Sequence, residues 1–287
     1  MVVVSDDEGR VLSHLLTIVR YRTSWIPPFL FIHASILGEG VYTPLSAELG
    51  LARDELFGEM LTAITDKLNR QLFYIEVSHL SQKMFAYRQF RKRGYFPVKW
   101  MSIHNSLHSH NPEERLSERM LSRIEGIEAS GVATHEVTTE AELQQFSRLL
   151  RKHNMLKPKR YIPDDQFFRC IMNSNDGRLF LTVYHGHVIG CSACVYSQNN
   201  VYLWYSAYKR KTYLRQHPDE MTVWHTIKDA HRRGYDHIFF MDVGLPFSRN
   251  PYREFILSFG GKPVATYRWF RFSIRWVNTL LNRLFRD

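Results

Sequence analysis

A carboxylate lies inside an apolar run in the segment FMDVGLPFSRNPYREFILSFGG, residues 240–261. The apolar neighbours predict a strand, so Asp242 sits at a strand end, and Arg253 follows where a helix begins. One interpretation is structural, because an ion pair of Asp242 with Arg253 or Arg268 would fix the strand end. The other is functional, because a general base needs only hydrogen-bond reach and a suitable pKa. Both interpretations stay open on these residues alone.

Spacings that are typical of metal or nucleophile sites are weak in this chain. Cys191 and Cys194 lie three positions apart on a predicted strand, which points them to opposite faces, and no second pair of cysteines exists. His104, His108 and His110 fall in a predicted polar linker, which favours solvated side chains. No Gly-x-Ser-x-Gly or Walker-type loop occurs. The sequence therefore predicts no metal site, and it argues against a serine hydrolase and against nucleotide hydrolysis.

The composition bounds the class of protein. The chain has 287 residues, of which 44% are hydrophobic, enough for one large domain or two. No apolar run is long enough to span a membrane, and the start lacks the pattern of a secretory signal. Three cysteines do not make a disulfide framework, so we expect a cytoplasmic protein. The net charge of +10 favours RNA, a phosphorylated cofactor or an acidic lipid surface as partner, unless the surface is merely basic.

Residues 132–272 predict ten elements in the order β-α-α-β-β-β-α-β-α-β. The first helix is expected to open at Thr139 with Glu142 completing a capping box. The first part of the chain repeats the last seven of these elements, which indicates a duplication.

Residue spacing supports the duplication. Glu76 and Asp242 are 166 residues apart, as are Gly94 and Gly260. The predicted domains are residues 1–110, which lack the first strand and two helices, a linker with a connecting helix at 111–131, a second domain at 132–272 and an amphipathic helix at 273–287. The short first copy is either degenerate or preceded by further residues.

This order of elements resembles the GNAT acyltransferase fold, and a tandem pair resembles the FemABX and CelD-like group. The stretch from HVIGCSACVY through VYLWYSAY and HIFFMDVGLP to YREFILSFGGKPV carries the resemblance. It implies an α/β (α+β) protein made of tandem GNAT-like folds, each with a mixed central sheet flanked by helices. It also implies transfer of an acyl or aminoacyl group to an amine by direct attack.

The resemblance assigns candidate site residues. The donor is expected to enter a splay between strands 202–208 and 238–244, with Asp242 at its mouth as base or positioning group. Because Glu76 matches Asp242 in a copy not expected to be catalytic, a structural role is equally supported. The tyrosine that many GNAT enzymes use as general acid is replaced by Leu257, so Tyr252 or Tyr208 would have to donate the proton.

The loop that holds the coenzyme A pyrophosphate in GNAT enzymes has no glycine here. Its cations are Lys209, Arg210, Lys211, Arg215 and His217. These side chains would either replace the backbone cradle for acyl-CoA or bind a larger donor, such as the aminoacyl-tRNA that FemABX enzymes use. Residues proposed to contact the substrate, for each of which a solvated or structural role is the alternative, are Arg253, Glu254, Arg268, Lys157 and Arg160.

The last residues, 273–287, predict a helix with one apolar face and three arginines elsewhere. It either docks on its own domain or lies peripherally on an anionic membrane surface, at the inner membrane face, which would suit a lipid-linked acceptor. The sequence thus predicts an acyltransferase that uses acyl-CoA or aminoacyl-tRNA. The alternative is a non-catalytic GNAT-like module that binds RNA or an anionic membrane surface.

Overall fold

The computed structural model describes residues 1–23, 30–69, 71–82, 84–155, 162–241, 243 and 249–285. They contain both strands and helices, mixed along the chain, which confirms the predicted α/β architecture. None of the helices within these ranges is long and apolar enough to cross a membrane.

The strands, in chain order, are β1 (Val2–Ser5), β2 (Val11–Leu15), β3 (Thr17–Thr23), β4 (Leu30–Leu37), β5 (Val41–Tyr42), β6 (Tyr74–Ser78), β7 (Phe96–Ser106), β8 (Val132–Glu136), β9 (Gly177–Tyr184), β10 (His187–Ser197), β11 (Asn200–Tyr208), β12 (His237–Phe240) and β13 (Lys262–Phe272). The helices are α1 (Pro44–Glu48), α2 (Arg53–Leu68), α3 (Tyr87–Lys92), α4 (Glu118–Ala129), α5 (Glu140–Asn154), α6 (Asp165–Met172), α7 (Pro218–Arg232), α8 (Pro251–Leu257) and α9 (Arg275–Leu284).

The chain divides into two compact units. The first contains residues 1–101 and 265–287, and the second contains residues 102–264. The sequence assigned residues 132–272 to one domain, whereas the structure groups residues 265–287 with the first unit. The reason is strand pairing, because β13 pairs with β6 in antiparallel register from Trp269 opposite Val77 to Phe272 opposite Tyr74.

In the first unit, β3 and β4 are antiparallel, β4 and β6 are parallel, and β13 follows β6. A separate small sheet joins β1, β2 and β5. One face of the main sheet packs against α2, where Phe57 and Met60 are fully buried. Trp269 of β13 is fully buried in the same cluster and stacks on Phe90 of α3 at 4.5 Å between ring centroids.

In the second unit, the strand order is β7-β12-β11-β10-β9-β8. The pairs are antiparallel except β11 with β12, which are parallel. Helices α5 and α6 cover one face through Phe146, Leu150 and Phe168. The end of β7, Ile103–Ser106, completes this sheet by pairing with β12. Residues 265–272 of β13, the last strand of the second copy, thus lie in the first unit, and residues 103–106 of β7, the last strand of the first copy, lie in the second unit. We call this arrangement the strand exchange.

Local signals explain the helix boundaries in the second unit. The Thr139 hydroxyl accepts a hydrogen bond from the Glu142 amide, and the Glu142 carboxylate accepts from the Thr139 amide, which confirms the predicted capping box at α5. Asp164 caps α6 through the Phe167 amide.

The two copies also match at helix ends. Gly94 follows α3 with φ +76° and Gly260 follows α8 with φ +79°. Glycine adopts this left-handed conformation without steric cost, which suits the position after a helix. The matched glycines thus end matched helices, as the repeat predicts.

Candidate active site

The described pairing of β11 with β12 covers only the first part of β11. The register runs from Asn200 opposite His237 to Leu203 opposite Phe240, where β12 ends. Strand β11 continues to Tyr208 while paired only with β10 among the described residues. The last part of β11 therefore has no described neighbour on the β12 side, and we call this edge the opening. Free backbone groups at a strand edge can orient and polarise a carbonyl group.

A β-bulge lies at the start of this opening. Ala193 of β10 pairs with Tyr205 and Cys194 pairs with Leu203, so Trp204 is an extra residue on β11. A bulge breaks the alternation of side chains along a strand. The rings of Trp204 and Tyr205 consequently both contact α6, on Phe167 at 6.3 Å and on Phe168 at 5.6 Å between centroids. Simple alternation along a strand would place these two neighbours on opposite faces, and the bulge is the reason that they share one.

Tyr208 ends β11 at the opening. Its hydroxyl oxygen is buried and has no hydrogen-bond partner among the described residues. Burial raises the pKa of Tyr208 well above its ordinary value, and the nearby Tyr252 raises it further. Ser206 opposes this pKa shift, although its hydroxyl does not reach hydrogen-bonding geometry with the phenol. Tyr208 is therefore a neutral phenol with a hydrogen that is free to donate.

Asn250 connects the start of α8 to the chain that follows β12. Its Nδ2 donates to the Val243 carbonyl at 2.8 Å, and its Oδ1 accepts from the amides of Tyr252 at 3.0 Å and Arg253 at 3.3 Å. This capping amide positions both predicted residues, and Tyr252 lies close enough to Tyr208 to influence its pKa. An Asn before Pro is the signal that predicts its capping role.

The cations of the basic loop between β11 and α7 fall into two groups, those that form ion pairs and those that are exposed. Arg210 pairs with Asp219 at 3.3 Å, and His217 pairs with Glu220 at 3.2 Å. Lys211 and Arg215 are exposed, and they form no ion pair within the part of the chain that the structure describes. Lys209 is half-buried, and its amide donates to the Ile189 carbonyl at 2.8 Å. Of the five predicted cations, Lys211 and Arg215 are the best placed to meet an anion from solvent.

The start of α7 does not fit the pyrophosphate of acyl-CoA in the way that GNAT enzymes hold it. A helix N-terminus binds phosphate through free amide groups and its positive dipole end. Here Pro218 has no amide hydrogen, and the carboxylates of Asp219 and Glu220 lie in the first turn, where like charge opposes a phosphate. Glu220 is also held by Arg123 at 2.8 Å. An anionic donor would have to bind through side chains of the loop.

Two of the predicted substrate residues are occupied by ion pairs. Arg268 lies in the first unit, where it donates to Glu76 at 2.7 Å and stacks over the ring of Trp100 at 3.9 Å. Glu254 is exposed and lies 3.8 Å from Arg249. Arg268 thus pairs with the first-copy counterpart of Asp242.

Three predicted site residues lie outside the described residues. They are Asp242, Lys157 and Arg160.

The histidine-rich segment is more ordered than a solvated linker. His104 belongs to β7, and its ring lies 5.2 Å from that of His237. Burial lowers the pKa of His104, and the charges of His237, Lys262 and Arg115 lower it further. Among the described residues no cluster of His, Cys, Asp or Glu has the arrangement to hold a metal ion.

Comparison with known proteins identifies the fold. Residues 115–254 match the family model of the acetyltransferase (GNAT) domain. Comparison with curated proteins by sequence gives no match.

Three solved structures are similar to the chain. L-PGS from Bacillus licheniformis has a TM-score of 0.60 at 12% identity, over 94% of this chain and 90% of that one. The C-terminal domain of a putative lysylphosphatidylglycerol synthetase from Agrobacterium fabrum has a TM-score of 0.64 at 10% identity, over 95% and 88%. FemX has a TM-score of 0.58 at 12% identity, over 99% and 89%. Residues 115–254 therefore match the acetyltransferase (GNAT) domain, and the three structures show that the chain has a fold similar to theirs.

Proposed function

We propose that the second unit transfers an aminoacyl group from aminoacyl-tRNA to an amine acceptor. The observation that carries the proposal is the opening between β11 and β12, with the unpaired hydroxyl of Tyr208 at its end. The backbone of β11 would hold the donor carbonyl and stabilise the oxyanion that forms when the amine attacks. The bond from the carbonyl carbon to the ribose oxygen breaks, and the new bond joins that carbon to the amine nitrogen.

Two proton transfers complete the reaction. Tyr208 donates its proton to the ribose oxygen as this oxygen leaves. Asp242, two residues after the end of β12, is our proposed acceptor for the proton that the amine loses. The described cysteines of the sheet do not offer a covalent route, because Cys191 and Cys194 are fully buried and burial raises the pKa of both thiols.

Leaving-group chemistry supports an ester donor over a thioester. An alkoxide is a far stronger base than a thiolate, so its departure gains more from a proton donor.

The anion-binding groups point to the same donor. Lys211 and Arg215 are separate exposed cations, which suit a polyanionic backbone, whereas the acidic start of α7 opposes a compact pyrophosphate. Among the structures with a similar fold, one is named for lysylphosphatidylglycerol, a product that carries an aminoacyl group.

The alternative is a non-catalytic module that binds RNA. The acidic start of α7 and the leucine at position 257 favour it, because both depart from the residues on which GNAT catalysis depends. This alternative retains Lys211 and Arg215 as RNA contacts and gives no role to the Tyr208 hydroxyl.

Donor binding and turnover distinguish these functions. Thermal shift is measured with acetyl-CoA, long-chain acyl-CoA, uncharged tRNA and aminoacyl-tRNA, and turnover is measured as release of labelled amino acid onto a panel of primary amines. We expect stabilisation by tRNA, turnover of aminoacyl-tRNA only, and loss of turnover in Asp242→Asn with the unfolding temperature unchanged. Stabilisation by acyl-CoA alone would show that acyl-CoA, and not aminoacyl-tRNA, is the donor. RNA binding without any turnover would support the non-catalytic RNA-binding module.

A charge-removal variant tests the loop. The double change Lys211→Ala and Arg215→Ala should weaken tRNA binding at least tenfold and reduce its salt dependence, since two phosphate contacts are lost. Arg119→Ala removes one exposed cation of the same unit and is the matched control. Equal tRNA affinity of the wild type, the double variant and Arg119→Ala would show that the loop does not bind the donor.

A further inference from the structure

We infer that α9, together with α3, forms a surface by which the first unit lies on an anionic lipid bilayer. The surface consists of an apolar line along α9, namely Trp276, Leu280 and Leu284, and of basic residues on both helices. It is separate from the residues of the proposed reaction and concerns the first unit alone.

Helix α9 is docked through its polar side. Asn278 accepts from the Phe272 amide at 2.9 Å and donates to the Gly94 carbonyl at 2.9 Å. Asn282 accepts from Arg91 of α3 at 2.8 Å. Phe285 stacks on Phe96 at 5.7 Å between centroids. These contacts fix the rotation of the helix about its axis.

The fixed rotation turns the apolar line toward solvent. Trp276 is 72% exposed, Leu280 is 50% exposed and Leu284 is 68% exposed. Their spacing of four residues aligns them on one side of the helix over roughly 12 Å. A surface helix of a globular protein normally presents the opposite pattern, with its apolar stripe inward. An apolar line that polar contacts hold toward solvent indicates a surface that binds a partner.

The exposed charges of the two helices favour an anionic partner. Arg275 and Arg283 of α9 are exposed, and so are Arg88 and Lys92 of α3. Neither helix contains an acidic residue. Basic residues beside an apolar face are typical of helices in the interface of an anionic bilayer, and tryptophan is enriched at that depth.

A bilayer fits this surface better than the other occupants. Two copies that meet through this face would bring arginines of the same sign together, which opposes association. An RNA would contact the arginines but would leave the leucines exposed to water.

Vesicle binding tests the inference with the full chain. Cosedimentation is measured with vesicles of phosphatidylcholine and with vesicles in which one third is phosphatidylglycerol. We expect binding to the anionic vesicles that weakens with salt, and at least tenfold weaker binding to phosphatidylcholine alone. Leu280→Glu should reduce the anionic binding at least tenfold. Leu49→Glu alters another half-exposed leucine of the first unit and should leave it unchanged.

Further variants keep the test decisive. The double change Arg275→Ala and Arg283→Ala removes exposed charge without affecting the docked side, so it should reduce anionic binding several-fold while circular dichroism stays unchanged. Equal vesicle binding by wild type, Leu280→Glu and the arginine variant would overturn the inference. So would self-association in solution that Leu280→Glu abolishes, because a second copy would then be the occupant. Turnover is not read in these measurements, so a failed reaction and a failed surface remain distinguishable.

Discussion

Tyr208 combines burial with an unused hydrogen-bond donor. A buried hydroxyl without a partner costs free energy, and folded proteins seldom keep one unless it has a use. The strand end that carries it is fixed by pairing of Tyr208 with Gly190 of β10, and His153 Nδ1 lies 3.2 Å from its carbonyl oxygen. The main chain at Tyr208 is thus fixed by these contacts, and the phenol hydroxyl is available to donate to a ligand.

Removing this hydroxyl separates a catalytic role from a structural one. We expect Tyr208→Phe to lower turnover of aminoacyl-tRNA by about 100-fold, the scale of general acid catalysis. The free energy of unfolding should stay equal or rise, because an unsatisfied polar atom is removed. Tyr202→Phe changes a half-buried tyrosine in the paired part of β11 and should retain turnover. Full activity of Tyr208→Phe in rate measurements would exclude the proton transfer.

At the scale of elements, the contact between β10 and α7 sets the position of the basic loop. A Cβ atom on Gly190 would lie 2.2 Å from Thr222 Oγ1 and 3.2 Å from the Pro218 carbonyl. Thr222 in turn donates to that carbonyl at 2.6 Å and contacts the Thr182 hydroxyl at 2.7 Å. The absence of a side chain at position 190 therefore lets the first turn of α7 approach the sheet.

A methyl group at this contact should act on both stability and the site. We expect Gly190→Ala to lower the free energy of unfolding by about 1–3 kcal/mol, the usual cost of overpacking. It should also weaken tRNA binding, since the start of α7 must move. Gly126→Ala is the matched control, because its added Cβ meets nothing within 4 Å in helix α4. In urea denaturation that control should be neutral or more stable by up to about 1 kcal/mol.

The capping box of α5 predicts a dependence of stability on pH. The Thr138 amide hydrogen bond is the largest cause that lowers the pKa of Glu142 to about 2, from 4.5. A lowered folded-state pKa gives stability that is present above about pH 4.5 and is lost as the pH falls toward 2. Because the side chain is partly exposed, screening limits the effect, and we expect Glu142→Gln to cost about 1 kcal/mol at pH 7.

Denaturation at several pH values checks this. The gap between wild type and Glu142→Gln should shrink between pH 5 and pH 3. Glu125→Gln alters an exposed carboxylate on α4 and should show no gap at any pH. A gap that persists unchanged to pH 3 would contradict the role of the ionised carboxylate.

Some features of these elements can be predicted from the sequence, and others depend on contacts between distant residues. The capping box, the order of strands and helices, and the match of Gly94 with Gly260 depend on local or periodic patterns and were predictable. The bulge at Trp204 depends on the register between two strands, which no local pattern encodes. The partner of Arg268 is Glu76, 192 positions away, so its contact emerges only from the assembled sheet. The outward apolar line of α9 is decided by where Asn278 and Asn282 find partners.

At the scale of the whole molecule, the strand exchange assigns parts of the repeat to unexpected units. Trp269 belongs by sequence to the second copy, yet it is fully buried in the core of the first unit. The duplication is therefore visible in the sequence, whereas the boundary between the compact units is not.

Substituting this tryptophan should destabilise the unit in which it packs. We expect Trp269→Ala to lower the free energy of unfolding by about 3–5 kcal/mol. Hydrogen exchange followed by mass spectrometry should show faster exchange in α2 and β6 and little change in β9 and β10. Trp224→Ala, in the buried part of α7, should produce the reverse distribution. Faster exchange in β9 and β10 alone for Trp269→Ala would contradict the assignment of β13.

The strand exchange also has a consequence for biosynthesis. During translation the ribosome releases β6 long before residues 265–272 exist, so the sheet edge that β13 later covers is left open in the nascent chain. The first unit can be completed only after residues 265–272 have been made. An open edge of this kind pairs readily with other strands. We therefore expect that ribosome-associated chaperones bind the nascent first copy, and that neither copy can be inherited alone as a functioning module.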